Sequence, residues 1–158
     1  MSAFFHFQDI HLFPSYLFQT YFRHSEPNLE IKALDVNSGV DFILSTWKYA
    51  KEGSRPYVEK IVERNESGAV YKDGKPVSAI VTVPDGLLAM LYTLNDHRKK
   101  GYAKVAVKYA MREQAMNGMT PCLTVELRNE PSKAFHESLG MKVAHVSDWV
   151  TFHKPGFD

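Results

Sequence analysis

The chain has 158 residues, a length that fits one domain with a sizeable hydrophobic core. Hydrophobic residues make up 44% of it and charged residues 23%, which is ordinary for a globular protein. The formal net charge of +1 argues against a protein built to bind nucleic acid, so no such partner is expected.

An aromatic segment occupies residues 1–28, and the compact domain is expected over residues 29–158. The aromatic segment has no apolar run of the roughly 20 residues that a membrane helix needs, so no membrane partner is expected. It lacks the basic start of a signal peptide, and its first arginine is Arg23, which disfavours a transit peptide. We therefore expect a cytoplasmic protein whose aromatic arm packs on the domain or on the second copy of a homodimer. The arm holds six phenylalanines: Phe4, Phe5, Phe7, Phe13, Phe18 and Phe22.

The domain is expected to begin with a strand followed by two helices. Residues 29–34 alternate apolar and polar side chains with a period of two, which predicts a half-buried strand. Asp35 and Asn37 can cap a helix running from about 39 to 50, because short polar side chains satisfy free N–H groups there. Arg55-Pro56 begins a second helix, since proline is favoured in the first turn.

Two Asp-Gly pairs then predict a meander of three strands. Asp73-Gly74 and Asp85-Gly86 are strong hairpin signals, because both residue types tolerate the positive φ angles of tight turns. The strands that they connect cover residues 69–71, 77–83 and 87–94. The last of these is the fourth predicted strand of the chain.

The second half of the domain alternates helices and strands. Apolar residues recur with helical period over 103–116, and Asn117-Gly118 ends that helix. A fifth strand is predicted over 123–127, a helix over 131–139, and a last strand or two over 141–152. The order β-α-α-β-β-β-α-β-α-β predicts an α/β protein with a mixed sheet and helices on both faces.

A short basic turn separates the fourth strand from the helix that follows it. Free N–H groups and the dipole at a helix N-terminus favour an anion, and Gly101 lets the backbone approach it closely. This arrangement suits a pyrophosphate, although an ordinary basic helix start would have the same pattern. We call these six residues the basic turn: Arg98, Lys99, Lys100, Gly101, Tyr102 and Ala103.

Cysteine and histidine usage points away from metal and thiol chemistry. The single cysteine, Cys122, lies in an apolar run and is expected to be a buried, inert thiol. The seven histidines show no spacing typical of metal ligands, so no metal is expected.

A second motif, Asn129 to Met141, extends the pattern of the basic turn. An Asn ends the fifth strand, a helix containing Phe135 follows, and Gly140 precedes an apolar residue. Together the two motifs resemble the GNAT acyltransferase fold. More narrowly, residues from about 30 to 152 resemble the C-terminal domain of the glycine N-acyltransferase family. That narrower resemblance rests on Leu34-Asp35-Val36, Trp47, Gly74-Lys75-Pro76-Val77-Ser78, Tyr92-Thr93-Leu94-Asn95-Asp96-His97-Arg98, Asn129-Glu130 and Ser147-Asp148-Trp149.

The resemblance implies a binding site for acyl-CoA, with acetyl-CoA or a longer acyl-CoA as co-substrate. It implies that backbone N–H groups of Leu91, Tyr92 and Thr93 hold the pantetheine arm, and that the basic turn takes the pyrophosphate. Asn129 would hydrogen-bond the pantetheine and Phe135 would pack along it. Asn129 also has the features of a helix N-cap, and the two roles are compatible.

The catalytic residues depart from the pattern of the family. The resemblance implies a glutamate general base at a position occupied here by Leu87, and a tyrosine acid at a position occupied by His136. Glu126 is the leading substitute for the base, and His136 could protonate the leaving sulfur, because its ordinary pKa is near 6.5. Glu126 could equally be a surface carboxylate, and His136 a histidine at the edge of the core. Ser78 and Tyr92 are further candidates for relaying a proton through water.

The resemblance implies an N-acyltransferase in which an acceptor amine attacks the thioester directly. The acceptor would be a small amine, glycine or another amino acid, and a mitochondrial location is also compatible with the family. Two alternatives stay open: a module that binds acyl-CoA with little or no catalysis, which Leu87 favours, and an N-acetyltransferase of proteins.

Overall fold

A computed structural model of the chain describes residues 1–6 and 28–148. Seven strands in this part form one sheet in the order β2-β3-β4-β5-β6-β1-β7. Neighbouring described strands run antiparallel, except that β5 and β6 are parallel, which confirms the mixed sheet. The strands are β1 (Ser2–His6), β2 (Leu29–Lys32), β3 (Ser67–Lys72), β4 (Lys75–Thr82), β5 (Leu87–Thr93), β6 (Cys122–Glu126) and β7 (Lys142–Ser147).

Helices cover both faces of the sheet, as the sequence predicts. Successive residues of a strand point to opposite faces, and β4 shows which helices occupy each. Ala79 and Val81 belong to a core cluster with residues of the first two helices, whereas Ile80 packs with residues of the third. The helices are α1 (Val36–Thr46), α2 (Arg55–Arg64), α3 (Tyr102–Met116) and α4 (Glu130–Glu137). None of the helices in the described residues is long and apolar enough to cross a membrane.

Helix α1 begins and ends earlier than the sequence predicts. The Asp35 carboxylate accepts a hydrogen bond from the Ser38 amide at 2.8 Å, so the helix begins at Val36 rather than near residue 39. At the other end, the Thr46 hydroxyl donates to the Phe42 carbonyl oxygen at 2.8 Å, and Trp47 is extended. The predicted extension to residue 50 is therefore wrong, and the chain leaves the helix at Trp47.

Both predicted hairpins are confirmed. Asp73 and Gly74 have φ angles of 50° and 74°, as the tight turn between β3 and β4 requires. Gly86, in the turn before β5, has a φ of 84°. Because these turns fix the register of the meander, they also fix which residues of β5 face each side of the sheet.

The start of the chain forms a strand that the sequence did not predict. Strand β1 lies between β6 and β7 and pairs antiparallel with both. Ala3 and Phe5 on it are buried in the core, so at least residues 2–6 of the aromatic segment belong to the sheet. Residues 7–27 lie outside the described residues, and the domain boundary after residue 28 stays a prediction, as does a role in dimerisation. The predicted last strand is seen as β7, and the chain from 149 onward is likewise not described.

Close packing of α3 against β3 depends on Gly68. A Cβ atom at this position would lie 2.1 Å from the Ala106 carbonyl oxygen and 2.8 Å from the Ala110 amide nitrogen. Both are backbone atoms of α3, so the helix itself would have to move. Gly68 thus sets how closely α3 lies on the sheet, and with it where the basic turn stands.

We predict that Gly68→Ala lowers the free energy of unfolding by about 3 kcal/mol, the upper part of the usual range for overpacking a core. Gly53→Ala is the control, because Gly53 has a φ of +84° but no atom within 4 Å of an added Cβ. Backbone strain alone should cost about 1 kcal/mol there. Urea unfolding measures both values, and equal losses would contradict the close approach of α3.

Candidate functional site

Strands β5 and β6 separate after two residue pairs, and this separation opens a cleft. Their parallel pairing joins Leu87 to Cys122 and Leu88 to Leu123. Both strands continue beyond these pairs, to Thr93 and to Glu126. The cleft has a volume of about 540 Å³.

A bulge in β5 lies beside the cleft. The pairs Ala79–Tyr92 and Val81–Ala89 enclose two residues of β5 but only one residue of β4. Strand β5 therefore has one extra residue between these pairs. Met90 has a φ of +57°, a conformation that costs energy for a residue with a side chain. A bulge leaves an extra residue outside the ladder and turns nearby backbone groups in a new direction. Polar backbone groups are therefore available around Met90 and Leu91, within the cleft wall.

The cleft wall contains five of the residues that the sequence predicts for the site. These five are Leu91, Tyr92, Glu126, Asn129 and His136. Residues from the segment after α1 and from the turn before β5 complete the charged and aromatic part of the wall. The sequence did not predict this second group for the site. It comprises Trp47, Lys48, Tyr49 and Asp85.

The basic turn lies at the far end of β5, next to the cleft. Gly101 is the N-cap of α3 and has a φ of 81°, which a residue without a side chain adopts most easily. The Arg98 Nε donates to the Thr93 carbonyl oxygen at 3.1 Å, and the guanidinium lies 5.3 Å from the centre of the Tyr92 ring. Tyr92 itself lines the cleft, so Arg98 of the basic turn contacts a residue of the cleft wall.

Positive charge at this turn faces solvent. Arg98, Lys99 and Lys100 are exposed, whereas the Tyr102 side chain is buried in the core. Tyr102 and Ala103 stand in the first turn of α3, so what they offer a ligand is mainly their position at the helix N-terminus, where the helix dipole favours an anion. The basic turn therefore suits a phosphate-bearing ligand, because exposed cations surround the N-terminus of α3.

Asn129 caps helix α4 and also lines the cleft, so the structure confirms its N-cap role, and its binding of a ligand stays a prediction. Its side-chain oxygen accepts a hydrogen bond from the Ser132 amide at 3.2 Å, which makes it the N-cap of α4. The residue is also exposed and lines the cleft. A side chain fixed by its capping bond can still offer its amide N–H groups to a ligand.

Of the two neighbouring candidates on α4, His136 lines the cleft and Phe135 does not. Phe135 packs against the hydrophobic core, whereas the cleft is lined by His136 and Ser132 on the same helix. The prediction that Phe135 packs along a ligand in the cleft is therefore not supported by the described wall. Residues 132 and 136 share one face of α4, and Phe135 points away from it.

His136 is not suited to act as an imidazolium acid. It is 4% exposed, and burial lowers its pKa from 6.5 to about 4. Within the described residues its Nδ1 has no hydrogen-bond partner. The expected protonation of a leaving group by charged His136 is therefore wrong at neutral pH. The neutral ring keeps one N–H, which can only offer a hydrogen bond.

Glu126 lies at the cleft mouth in an ion pair that joins distant parts of the chain. Its Oε1 is 3.0 Å from the Lys48 Nζ, and both side chains are more than 60% exposed. Hydrogen bonding to Tyr49 and then to Glu126 raises the pKa of Lys48. Leu87 lines the cleft as a half-buried aliphatic residue, and Asp85, two residues earlier, adds a second carboxylate to the wall.

Other candidates lie outside the cleft wall. Ser78 is fully buried and does not line the cleft, and its hydroxyl shares a hydrogen bond with the Thr93 hydroxyl at 2.8 Å; a relay through Ser78 stays a prediction. Burial, with a further contribution from Asp85, raises the pKa of the Cys122 thiol, which keeps it protonated. The described residues contain no group of three or more histidines, cysteines and carboxylates that could hold a metal ion.

The model of the FR47-like protein family matches residues 67–150, which is more than half of the chain. This range contains β5, the basic turn, β6 and α4, and therefore most of the cleft. No functionally curated protein matches the sequence.

Solved structures share the fold at low sequence identity. A Drosophila protein has a TM-score of 0.71 at 18% identity over 90% of this chain and 48% of its own length. A GNAT-family acetyltransferase from Novosphingobium aromaticivorans has 0.57 at 16% identity, over 90% and 60%. The chain thus spans about half the length of the first protein and less than two thirds of the second.

The aminoglycoside N-acetyltransferase AAC(6')-Iy, solved in complex with the bisubstrate analogue CoA-S-monomethyl-acetylneamine, has a TM-score of 0.62 at 14% identity. Here the match covers 80% of this chain and 97% of the enzyme. These likenesses confirm the GNAT fold. The narrower expectation of a glycine N-acyltransferase stays a prediction.

The burial of His136 predicts that stability falls in mild acid. The unfolded chain takes up a proton near pH 6.5, whereas the folded chain resists it until about pH 4. The contribution of neutral His136 to the free energy of unfolding is therefore complete above pH 6.5, and it is lost as the pH falls toward 4. We expect the free energy of unfolding to drop by roughly 2 kcal/mol more in the native chain than in His136→Gln between pH 7 and 4.5.

Urea unfolding at the two pH values measures this difference. His145→Gln is the control, because His145 lies on β7 and is exposed. An equal pH dependence in the native chain and in His136→Gln would contradict a buried neutral imidazole.

Proposed function

Because this chain belongs to the FR47-like family and has the GNAT fold, we propose that it is an acyl-CoA-dependent N-acyltransferase. The observation that carries the proposal is the cleft between β5 and β6, together with the basic turn that follows β5 and begins α3. Polar backbone groups beside a cleft can stabilise the charge that develops on a thioester oxygen, and a helix N-terminus favours a pyrophosphate. Tyr92, which lines the cleft and contacts Arg98, connects the two features.

In this proposal the basic turn binds the pyrophosphate of acyl-CoA. The first N–H groups of α3 would donate to its oxygens, and Gly101 leaves room for the contact. Arg98 is already positioned by its bond to the Thr93 carbonyl and by the Tyr92 ring. Lys99 and Lys100 add charge that salt screens, so we expect CoA binding to weaken as the ionic strength rises.

The pantetheine arm would lie in the cleft between the two strands. Backbone groups of Leu91 and Tyr92, which line the cleft, and of Thr93, which follows them on β5, are proposed to bind it, with Asn129 after β6. A backbone N–H near the Met90 bulge would donate to the thioester oxygen as negative charge develops on it. The bulge holds such a donor in place before the reaction begins.

The chemical step is direct attack of the acceptor amine on the thioester carbon. The new C–N bond forms as the C–S bond breaks, and the amine proton passes to a carboxylate. We propose Glu126 as the general base, because it lines the cleft and is open to solvent. The thiolate takes its proton from water, since buried His136 is neutral and offers only a hydrogen bond.

The acceptor is proposed to be a small amine, with glycine or another amino acid as the first choice. The resemblance to the glycine N-acyltransferases supports this choice, as does a cleft mouth that carries both a lysine and a glutamate. Acyl groups longer than acetyl are part of the same proposal. An amine of a protein substrate is the alternative, and it would show as activity on peptides without activity on free amino acids.

We predict that Gly101→Glu weakens CoA binding by about 100-fold, because it places a carboxylate where the pyrophosphate is proposed to bind. Gly118→Glu is the matched control: Gly118 also has a positive φ, of 76°, but lies at the other end of α3. Both variants carry the same backbone strain and the same added charge. Calorimetry with CoA measures the affinities, and equal weakening in the two variants would contradict binding at the basic turn.

We predict that Glu126→Gln lowers kcat about 100-fold, with little change in CoA affinity, because a lost general base typically costs 10²–10⁴-fold. Asp85→Asn is the matched control, since Asp85 is the other carboxylate of the cleft wall. Thiol release from acetyl-CoA and longer acyl-CoAs, measured with a panel of amino acids, gives the rates. A loss of kcat in Asp85→Asn but not in Glu126→Gln would identify Asp85, and not Glu126, as the general base.

The non-catalytic alternative makes a different prediction for the same assay. Because Leu87 occupies the position of the family's base, a binding module would retain CoA affinity and release no thiol with any acceptor. Tight CoA binding without turnover on amino acids, amines or peptides would overturn the proposed enzyme activity.

A further inference from the structure

The ion pair between Lys48 and Glu126 bridges the cleft from one wall to the other. Lys48 belongs to the segment after α1, and Glu126 is the last residue of β6, 78 positions later. Both line the cleft, and the Nζ–Oε1 distance is 3.0 Å. The proposed general base is therefore paired with a cation that is also part of the cleft wall.

Lys48 is the one lysine or arginine among the described residues that line the cleft. The wall holds two carboxylates, Asp85 and Glu126, and His136 is neutral. A negatively charged acceptor group thus has a single favourable partner inside the cleft. Charge-assisted hydrogen bonds from an ammonium to a carboxylate are about twice as strong as neutral ones.

The position of Lys48 does not depend on Glu126 alone. Its Nζ lies 4.6 Å from the centre of the Tyr49 ring, and the Tyr49 side chain is the largest cause of its raised pKa. The Tyr49 ring is therefore a second contact of the ammonium besides Glu126. The pair with Glu126 is largely exposed to water, and such pairs are weak enough for a substrate to replace one partner.

We propose that Lys48 recognises a carboxylate on the acceptor and that this contact frees Glu126 to take the proton of the neighbouring amine. An α-amino acid carries both groups one carbon apart, so it can replace the internal ion pair with two intermolecular contacts. Its carboxylate accepts from Lys48, and its amine faces Glu126. An amine without a carboxylate leaves Glu126 paired with Lys48 and reacts poorly. This inference rests on the proposed N-acyltransferase function.

The test compares acceptors that differ only in the carboxylate. Glycine is paired with glycinamide, and L-alanine with L-alaninamide, each with saturating acetyl-CoA. For the native chain we expect a higher kcat/KM for the acid of each pair. In Lys48→Met the acid-to-amide ratio should fall by about 10- to 100-fold, mainly through a higher KM for the acid. Lys48→Arg should retain most of the preference, because it keeps the charge.

Lys51→Met is the matched control, since Lys51 is an exposed lysine of the same segment that does not line the cleft. It should leave the acid-to-amide ratio unchanged. Calorimetric titration of glycine into the complex of the chain with CoA gives a second readout. Lys48→Met should weaken glycine binding by the same factor and leave glycinamide binding unchanged.

The outcomes separate this inference from the function on which it rests. Turnover of both members of each pair, with the same ratio in the native chain and in Lys48→Met, would overturn the role of Lys48 and leave the transferase intact. Binding of acetyl-CoA with no turnover of any of the four acceptors or of peptides would overturn the transferase, and the role of Lys48 with it.

Discussion

The separation of β5 from β6 is the constraint on which the rest of the site depends. Two parallel strands that pair over only two residues leave the backbone groups that face the gap without a ladder, although the groups on their other sides pair with β4 and β1. Such groups are costly unless water or a ligand satisfies them. The bulge at Met90 stores further backbone strain at the same point. A ligand with alternating polar groups, as in a pantetheine arm, is the kind of molecule that this gap suits.

Two charged regions border that gap, and the proposed function gives them different roles. The basic turn presents exposed cations around Gly101, which favours a phosphate-bearing group. The cleft wall itself carries Lys48 and Glu126, joined in a weak, exposed ion pair that a zwitterion can replace. In the proposed function the first region recognises the acyl donor and the second recognises the acceptor.

The sequence predicts most elements of the fold and about half of the site. Hairpins and helices follow from local signals such as Asp73-Gly74, whose φ angles match the turn. Strand β1 is not predicted, because Ser2–His6 does not alternate apolar and polar side chains. Its position in the sheet depends on pairing with β6 and β7, which lie far away in the sequence. Lys48 is missed for a similar reason, since 78 residues separate it from Glu126 and no local pattern joins them. The burial of His136, which removes its charge, likewise depends on packing against distant residues.

Backbone amide NMR of the chain during titration with acetyl-CoA tests most directly that the parted strands and the basic turn form one acyl-CoA site. We predict that the largest shift changes occur at residues 91–93, at 98–103 and at Asn129. Amides of Glu63 and Arg64, at the end of α2, belong neither to the cleft wall nor to the basic turn and should be unaffected. Changes confined to that end of α2, or the absence of any change at saturating acetyl-CoA, would contradict this site.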